Sequence, residues 1–205
     1  LSQHARLWEK QALLKARAIA GDETVGSEFL RQVEPLLFDA MGEALRANAH
    51  AIKQRTEALF RQRGREWGEV KLGEGSIRDV EFVVQYLQLA HGVRHPEVRS
   101  RNTLDALARL SACGLLPADE YRVLAGGYIF LRTIEHHLQM MHYRQTTTLP
   151  GDTEALGHLA RRLGFQDEEA GAQFLARYQQ YGAAIRAIYL RHLGSDEMEE
   201  LASSL

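Results

Sequence analysis

What this sequence lacks narrows its function before any motif is read. Its single cysteine, Cys113, excludes an internal disulfide and fits a reducing compartment. No apolar run reaches the roughly 18 charge-free residues that a membrane span needs. Net charge is −2 over 205 residues, so no global field favours nucleic acid or an anionic membrane. Period-two alternation bounded by turns is not sustained anywhere, which leaves little room for strands. Motifs of self-contained catalysis are missing too. There is no Gly-x-Ser-x-Gly elbow, no His-Glu-x-x-His helix, and no His-Asp dipeptide of the kind used by all-helical metal phosphohydrolases. Carboxylates paired on a sheet edge, as two-metal phosphoryl chemistry requires, are also absent. Nine histidines are present, yet no metal site is expected. His136 and His137 point about 100° apart on a helix, and Gly92 and Pro96 break the helix that would align His91 with His95. Gly194-Ser195-Asp196 superficially resembles the start of a nucleotidyltransferase metal motif, but it follows a helix and opens a polar tail. No catalytic residue is therefore expected in the chain.

What is present is helix after helix. Apolar residues recur at i, i+3 and i+4, and the breaks fall at glycine or proline. Helices are expected over residues 2–20, 27–62 with a bend near Pro35, 76–91, 102–113, 117–143, 153–163 and 167–192. Residues 63–75 read as a glycine-rich linker containing Trp67. The expected fold class is all-α, a bundle of six to eight helices with long antiparallel members. The chain begins at Leu1 without Met or signal peptide, so it is expected to be a piece of a longer intracellular, cytoplasmic protein. The Met/aromatic set Phe130, Met140, Met141 and Tyr143 reads as core.

The segment from Lys71 to Phe82 carries the most information. Gly73 and Gly75 permit a sharp turn or a close backbone approach, and Ser76 with Asp79 makes a Ser-x-x-Asp helix start. A helix N-terminus flanked by Lys71 and Arg78 suits a phosphate or carboxylate; a glycine-rich helix start held by internal salt bridges is the other reading. A third dinucleotide-type glycine and a preceding strand are absent. Ahead of it, Lys53, Arg55, Arg61, Arg63, Arg65 and Lys71 outweigh Glu57, Glu66 and Glu69, a local excess that attracts an anion or lines a solvated helix face. Downstream, Arg78, Glu81, Gln85 and Gln88 stack along one face of an otherwise apolar helix, and Arg132, Glu135, Gln139 and His142 repeat the spacing among apolar neighbours. Two pairings are open. Arg78 could meet Glu135 and Arg132 meet Glu81, or each Arg could satisfy the Glu on its own helix, giving a structural network.

These residues carry a family resemblance. The run from Lys71 to Gln85, Thr103-Leu104-Asp105-Ala106-Leu107, Gly114-Leu115-Leu116, Phe130 to His136, and Gln145 to Pro150 resemble the glutamine synthetase adenylyltransferase family. Those bifunctional enzymes add AMP to glutamine synthetase and remove it. Trp8 to Arg17 resembles the end of their nucleotidyltransferase domain, and the first, adenylyl-removing half is the closer match. The PII uridylyltransferases share a looser version. Ser76 departs from a common third glycine, but Ser also caps a helix. The resemblance implies that residues 1–70 close a preceding nucleotidyltransferase domain and residues 71–205 form a helical bundle. It implies ATP and Mg²⁺ in the parent enzyme, with glutamine synthetase and the PII signalling protein as partners. The metal-binding carboxylates would lie before Leu1. Lys15, Arg17, Lys71 and Arg78, with Gly73 and Gly75, would face nucleotide or anion, while Glu81, Gln85, Arg132, Glu135 and Gln139 would orient them or bind an effector. The alternative is a regulatory helical module, itself non-catalytic, that binds PII or glutamine synthetase.

Overall fold

The computed structural model describes residues 7–38, 42–62, 64, 67–142 and 146–194. Among them are eight α-helices: α1 (Leu7–Leu13), α2 (Glu23–Leu37), α3 (Gly42–Gln62), α4 (Ile77–His91), α5 (Thr103–Ala112), α6 (Ala118–His142), α7 (Thr153–Arg162) and α8 (Ala170–Leu193). One 3-10 turn spans Pro96–Val98. The only extended pairing among these residues is an isolated antiparallel bridge between Glu69 and Thr148. The protein is all-α, as its periodicity demands. No helix among the described residues is long and apolar enough to cross a membrane.

Helix ends follow local chemistry. Asp22 accepts from the Thr24 and Val25 N–H groups, so α2 starts at Glu23, ahead of the expected position 27. Pro35 lies in its last turn, and the expected single helix over 27–62 is two helices, α2 ending two residues after the proline. The α1 helix closes at Leu13 although no breaker precedes Gly21. The Lys15 ammonium is held instead by the Arg101 carbonyl at 2.8 Å and the Thr103 hydroxyl at 3.0 Å. Asn102 caps α5, and Gly114, at φ +70°, ends it. Asp167 sits at φ +78°, a left-handed conformation that a helix cannot incorporate, so α8 opens at Ala170 and not at 167.

The chain divides into two compact units. The first comprises Leu1–Ala51, Phe82–Tyr121 and Leu193–Leu205, and the second Ile52–Glu81 and Arg122–His192. In the first, Leu14, Val33, Leu37, Phe38, Leu45 and Leu89 form an apolar cluster. The Gln88 amide donates to the Val98 and Ser100 carbonyls at 2.7 Å each, pinning the 3-10 turn beside α4. In the second, Phe130 packs against Phe174 and Tyr181 at centroid separations of 6.1 and 5.4 Å. The α4 helix is buried on nearly every side, as its composition requires: Ile77, Val80, Val83, Val84 and Leu87 are all inaccessible. By contrast, α6 exposes Ile129 and Met140, so that Met faces solvent rather than core. The Met141 side chain and Tyr143 lie outside the described residues, as do Ser195 and Asp196.

Candidate functional site

The second unit is organised around buried charge. Lys53 on α3 is only 1% exposed, although it sits in a sequence run that suggests a solvated face. Its ammonium lies 2.6 Å from Asp79 and 3.3 Å from Glu57, and it donates to the carbonyls of Leu72 at 3.0 Å and Gly73 at 2.5 Å. Arg186 on α8 forks onto Glu57 through two hydrogen bonds of 2.9 and 3.1 Å and reaches Asp79 at 3.5 Å. Two cations and two carboxylates are thus interlocked, as buried charges must be. Burial pushes the Asp79 carboxyl above its ordinary range, against the opposing pull of Lys53 and Arg186.

The glycine segment is folded over this network. The Gly75 N–H donates to Asp79 at 2.8 Å. The carboxylate therefore reaches one residue beyond the N-terminal reach of a capping box, and Ser76 turns its hydroxyl to the Lys71 carbonyl at 2.9 Å. Gly75 adopts φ +62°, and a Cβ built there would lie 2.1 Å from the Gly182 carbonyl oxygen. The close approach that glycine permits here is to α8. The N–H groups at the start of α4 are also engaged: Ile77 donates to the Val70 carbonyl and Arg78 to the Lys71 carbonyl, each at 3.1 Å. Glu69 fastens the segment from below. It accepts from the Lys71 and Leu72 N–H groups and from the Thr147 and Thr148 hydroxyls. The stretch read as a linker is in this way tied to the threonine-rich loop.

The polar stripes pair within their own helices. Arg78 meets Glu81 at 3.4 Å and Arg132 meets Glu135 at 2.5 Å, and the tie between elements is Lys71, 3.1 Å from buried Glu135. Tyr128 also reaches Glu81 at 3.5 Å. Gln85 is buried, and Gln139 is half-buried. Lys71, Gly73, Gly75, Arg78, Glu81, Arg132, Glu135 and Gln139 belong to the second unit, whereas Lys15, Arg17 and Gln85 belong to the first.

Beside the locked segment lies a cavity of about 640 Å³. Phe60, Trp67 and Tyr178 supply aromatic wall, Glu74 and Arg61 exposed charge, and Arg186 part-buried charge. Burial pushes the Tyr178 phenol up to about 12, so it is a neutral donor at ordinary pH. The sequence reading missed Lys53, Glu57, Glu69 and Arg186. The available signals were an i, i+4 Lys–Glu pair on α3 and an Arg set among Ile185, Ile188 and Tyr189 on α8. The buried carboxylates Glu57, Glu69 and Asp79 all face cations or N–H and O–H donors, so this set does not fit a magnesium–nucleotide centre.

The sequence profile of the family described as GlnD PII-uridylyltransferase matches residues 43–192. A bifunctional glutamine synthetase adenylyltransferase/adenylyl-removing enzyme of Mesorhizobium japonicum is 43% identical over 170 residues, covering 81% of this chain and 17% of the relative. Like-named proteins of Bradyrhizobium diazoefficiens and Thioalkalivibrio sulfidiphilus are 39% and 40% identical, over 85% and 86% of this chain and 18% of each relative. The chain spans about a sixth of the length of the curated relatives it matches. Its glycine segment, its helical order and this run of identity place it in one lineage: the chain belongs to the family of PII uridylyltransferases and glutamine synthetase adenylyltransferases.

Proposed function

We propose that the chain is a helical module of an enzyme that attaches AMP to glutamine synthetase and removes it, and that the module supports this chemistry without performing it. The observation that carries the reading is the identity of 37–43% with enzymes of that name over about four-fifths of this chain. ATP and Mg²⁺ are assigned to another part of the whole protein, since the carboxylates described above are already occupied. The nucleotide role expected of Lys71, Gly73, Gly75 and Arg78 becomes indirect. Lys53, Asp79 and Glu69 hold the segment in one conformation, and a rigid segment keeps its exposed face, with Glu74 and Arg61, at a constant position. Lys15 and Arg17 would serve the neighbouring end of the catalytic domain. Glutamine synthetase and PII are the proposed partners, and the cytoplasm the proposed compartment.

Two measurements test this. Calorimetric titration of the chain with ATP, ADP and AMP, with and without Mg²⁺, is expected to give no heat of binding. Whole protein carrying Gly75→Ala is expected to lose AMP transfer or removal, because the new Cβ meets the Gly182 carbonyl and φ is left-handed, a strain of about 1–2 kcal/mol before the clash is counted. Whole protein of native sequence that neither adds nor removes AMP on glutamine synthetase would sink the reading. Binding of PII by the chain alone, with Gly75→Ala leaving both activities intact, would favour the regulatory module instead.

A further inference from the structure

A second cluster of reactive side chains lies in the first unit. His95 precedes the 3-10 turn, Glu97 lies within it, and Cys113 is the C-cap residue of α5, just before Gly114. The His95 Nδ1 is 3.2 Å from Glu97 Oε1, and the Cys113 Sγ is 3.3 Å from that same oxygen. One donor atom from each residue falls within a sphere where all lie inside 4.8 Å of one another. We infer that His95, Glu97 and Cys113 form a zinc-class metal site, with solvent completing the coordination.

The geometry carries this in three ways. A tetrahedral Zn²⁺ with bonds of about 2.0 Å to N and O and about 2.3 Å to S sets ligand–ligand edges of about 3.3 Å for N···O and about 3.5 Å for O···S. The observed 3.2 and 3.3 Å differ from these by only a few tenths of an ångström. The ligand types, imidazole, thiolate and carboxylate, are those that a borderline-soft divalent ion selects, and three protein ligands with one open position is the arrangement of an accessible zinc site. The backbone that presents them is also pinned. The His95 N–H donates to the His91 carbonyl, and the Cys113 N–H to the Arg109 carbonyl. The Arg109 guanidinium donates to the Glu97 carbonyl at 3.0 Å, tying the turn to α5, and its charge is met by Asp105 at 2.9 Å. Gln88 holds the turn from the other side. Side chains on so constrained a frame lose little freedom when they converge on an ion.

The site escapes a spacing search because its ligands come from two separate stretches. His95 and Glu97 are near neighbours, Cys113 lies well downstream, and His91 and His95 are not ligands on one helical face. Binding balances in protons: the Cys113 thiol proton leaves to solvent, the His95 proton moves from Nδ1 to Nε2 so that Nδ1 offers its lone pair, and the metal stands where the two hydrogen bonds to Glu97 were.

The test is a Co²⁺ titration of the full chain after treatment with chelator. The expected result is a thiolate-to-cobalt charge-transfer band in the near ultraviolet that saturates at one equivalent and is bleached by one equivalent of Zn²⁺. Cys113→Ser should abolish the band, and His95→Ala and Glu97→Gln should each weaken binding at least about tenfold, with circular dichroism unchanged. In the unmutated chain, Zn²⁺ should also protect the single thiol from a disulfide reagent. No band in excess Co²⁺ would overturn the inference. So would a band of unaltered affinity in His95→Ala and Glu97→Gln, because a lone thiol would then be collecting the metal.

Discussion

The two units bury different things. The first closes over hydrocarbon, with Leu14, Val33, Leu37, Phe38, Leu45 and Leu89 in contact. The second encloses Lys53, Glu57 and Asp79, each no more than 3% exposed, with Arg186 across them. Hydrocarbon packing is non-directional and tolerates repacking at modest cost. An ionic cluster out of water has no such tolerance, because removing one member leaves its partners unpaired in a poor solvent. The unit with the glycine segment is therefore the more exactly specified of the two, and also the easier to break.

The sharpest break is Lys53→Met. It strips the ammonium from between Asp79 and Glu57, leaving Arg186 as the cation that touches both, and frees the Leu72 and Gly73 carbonyls, for an expected loss of about 3–5 kcal/mol in urea unfolding. A loss under about 1 kcal/mol would show that the cluster does not hold this unit. Leu89→Ala is the counterpart in the first unit. It deletes an inaccessible side chain from the apolar cluster and should cost about 2–3 kcal/mol, less than the ionic change. Amide exchange on the two variants should separate them, since the first opens residues 69–80 and the second the α2 and α4 contacts of its own unit.

The smallest effect has opposite signs in the two units. Asp22, fully exposed, accepts two N–H groups at the start of α2, and those hydrogen bonds hold its carboxyl below the usual 3.8. Asp79 is pushed above 3.8 by burial. A lowered carboxyl contributes stability that is present above the unfolded value and is lost as pH falls through the folded one, so Asp22 withdraws its cap only below pH 3.8. A raised carboxyl works the other way: the folded state holds the proton more tightly, and the Asp79 contribution improves as pH falls towards 3.8 and worsens as it rises through the folded value. Carboxyl-carbon NMR titration should place the Asp22 midpoint below 3.8 and that of Asp79 above it. The reverse order would mean that Lys53 and Arg186 outweigh burial at Asp79.

Much of the molecule was legible from the chain. Helix existence followed from the 3.6-residue recurrence of apolar positions, and the end of α5 followed from a single residue, Gly114, whose effect reaches only its own turn. Family membership was legible in the run from Lys71 to Gln85. The misjudged boundaries were tertiary. Nothing near residue 14 ends a helix, but Lys15 is held by the Arg101 carbonyl, and Asp167 takes a left-handed turn that no propensity foretells. Lys53 looked like one cation in a basic run because burial depends on what packs against it.

By itself the sequence determined the fold class, the helical order and the special status of Gly75, since each rests on interactions between residues a few positions apart. Only the tertiary structure decided what Gly75 is for. It brings α8 within van der Waals reach of the glycine backbone and delivers Arg186 to Glu57 and Asp79, from 129 and 107 positions away. It likewise brings Cys113 to Glu97. Periodicity encodes which face of a helix is apolar, and it carries no record of which distant charge will be waiting there.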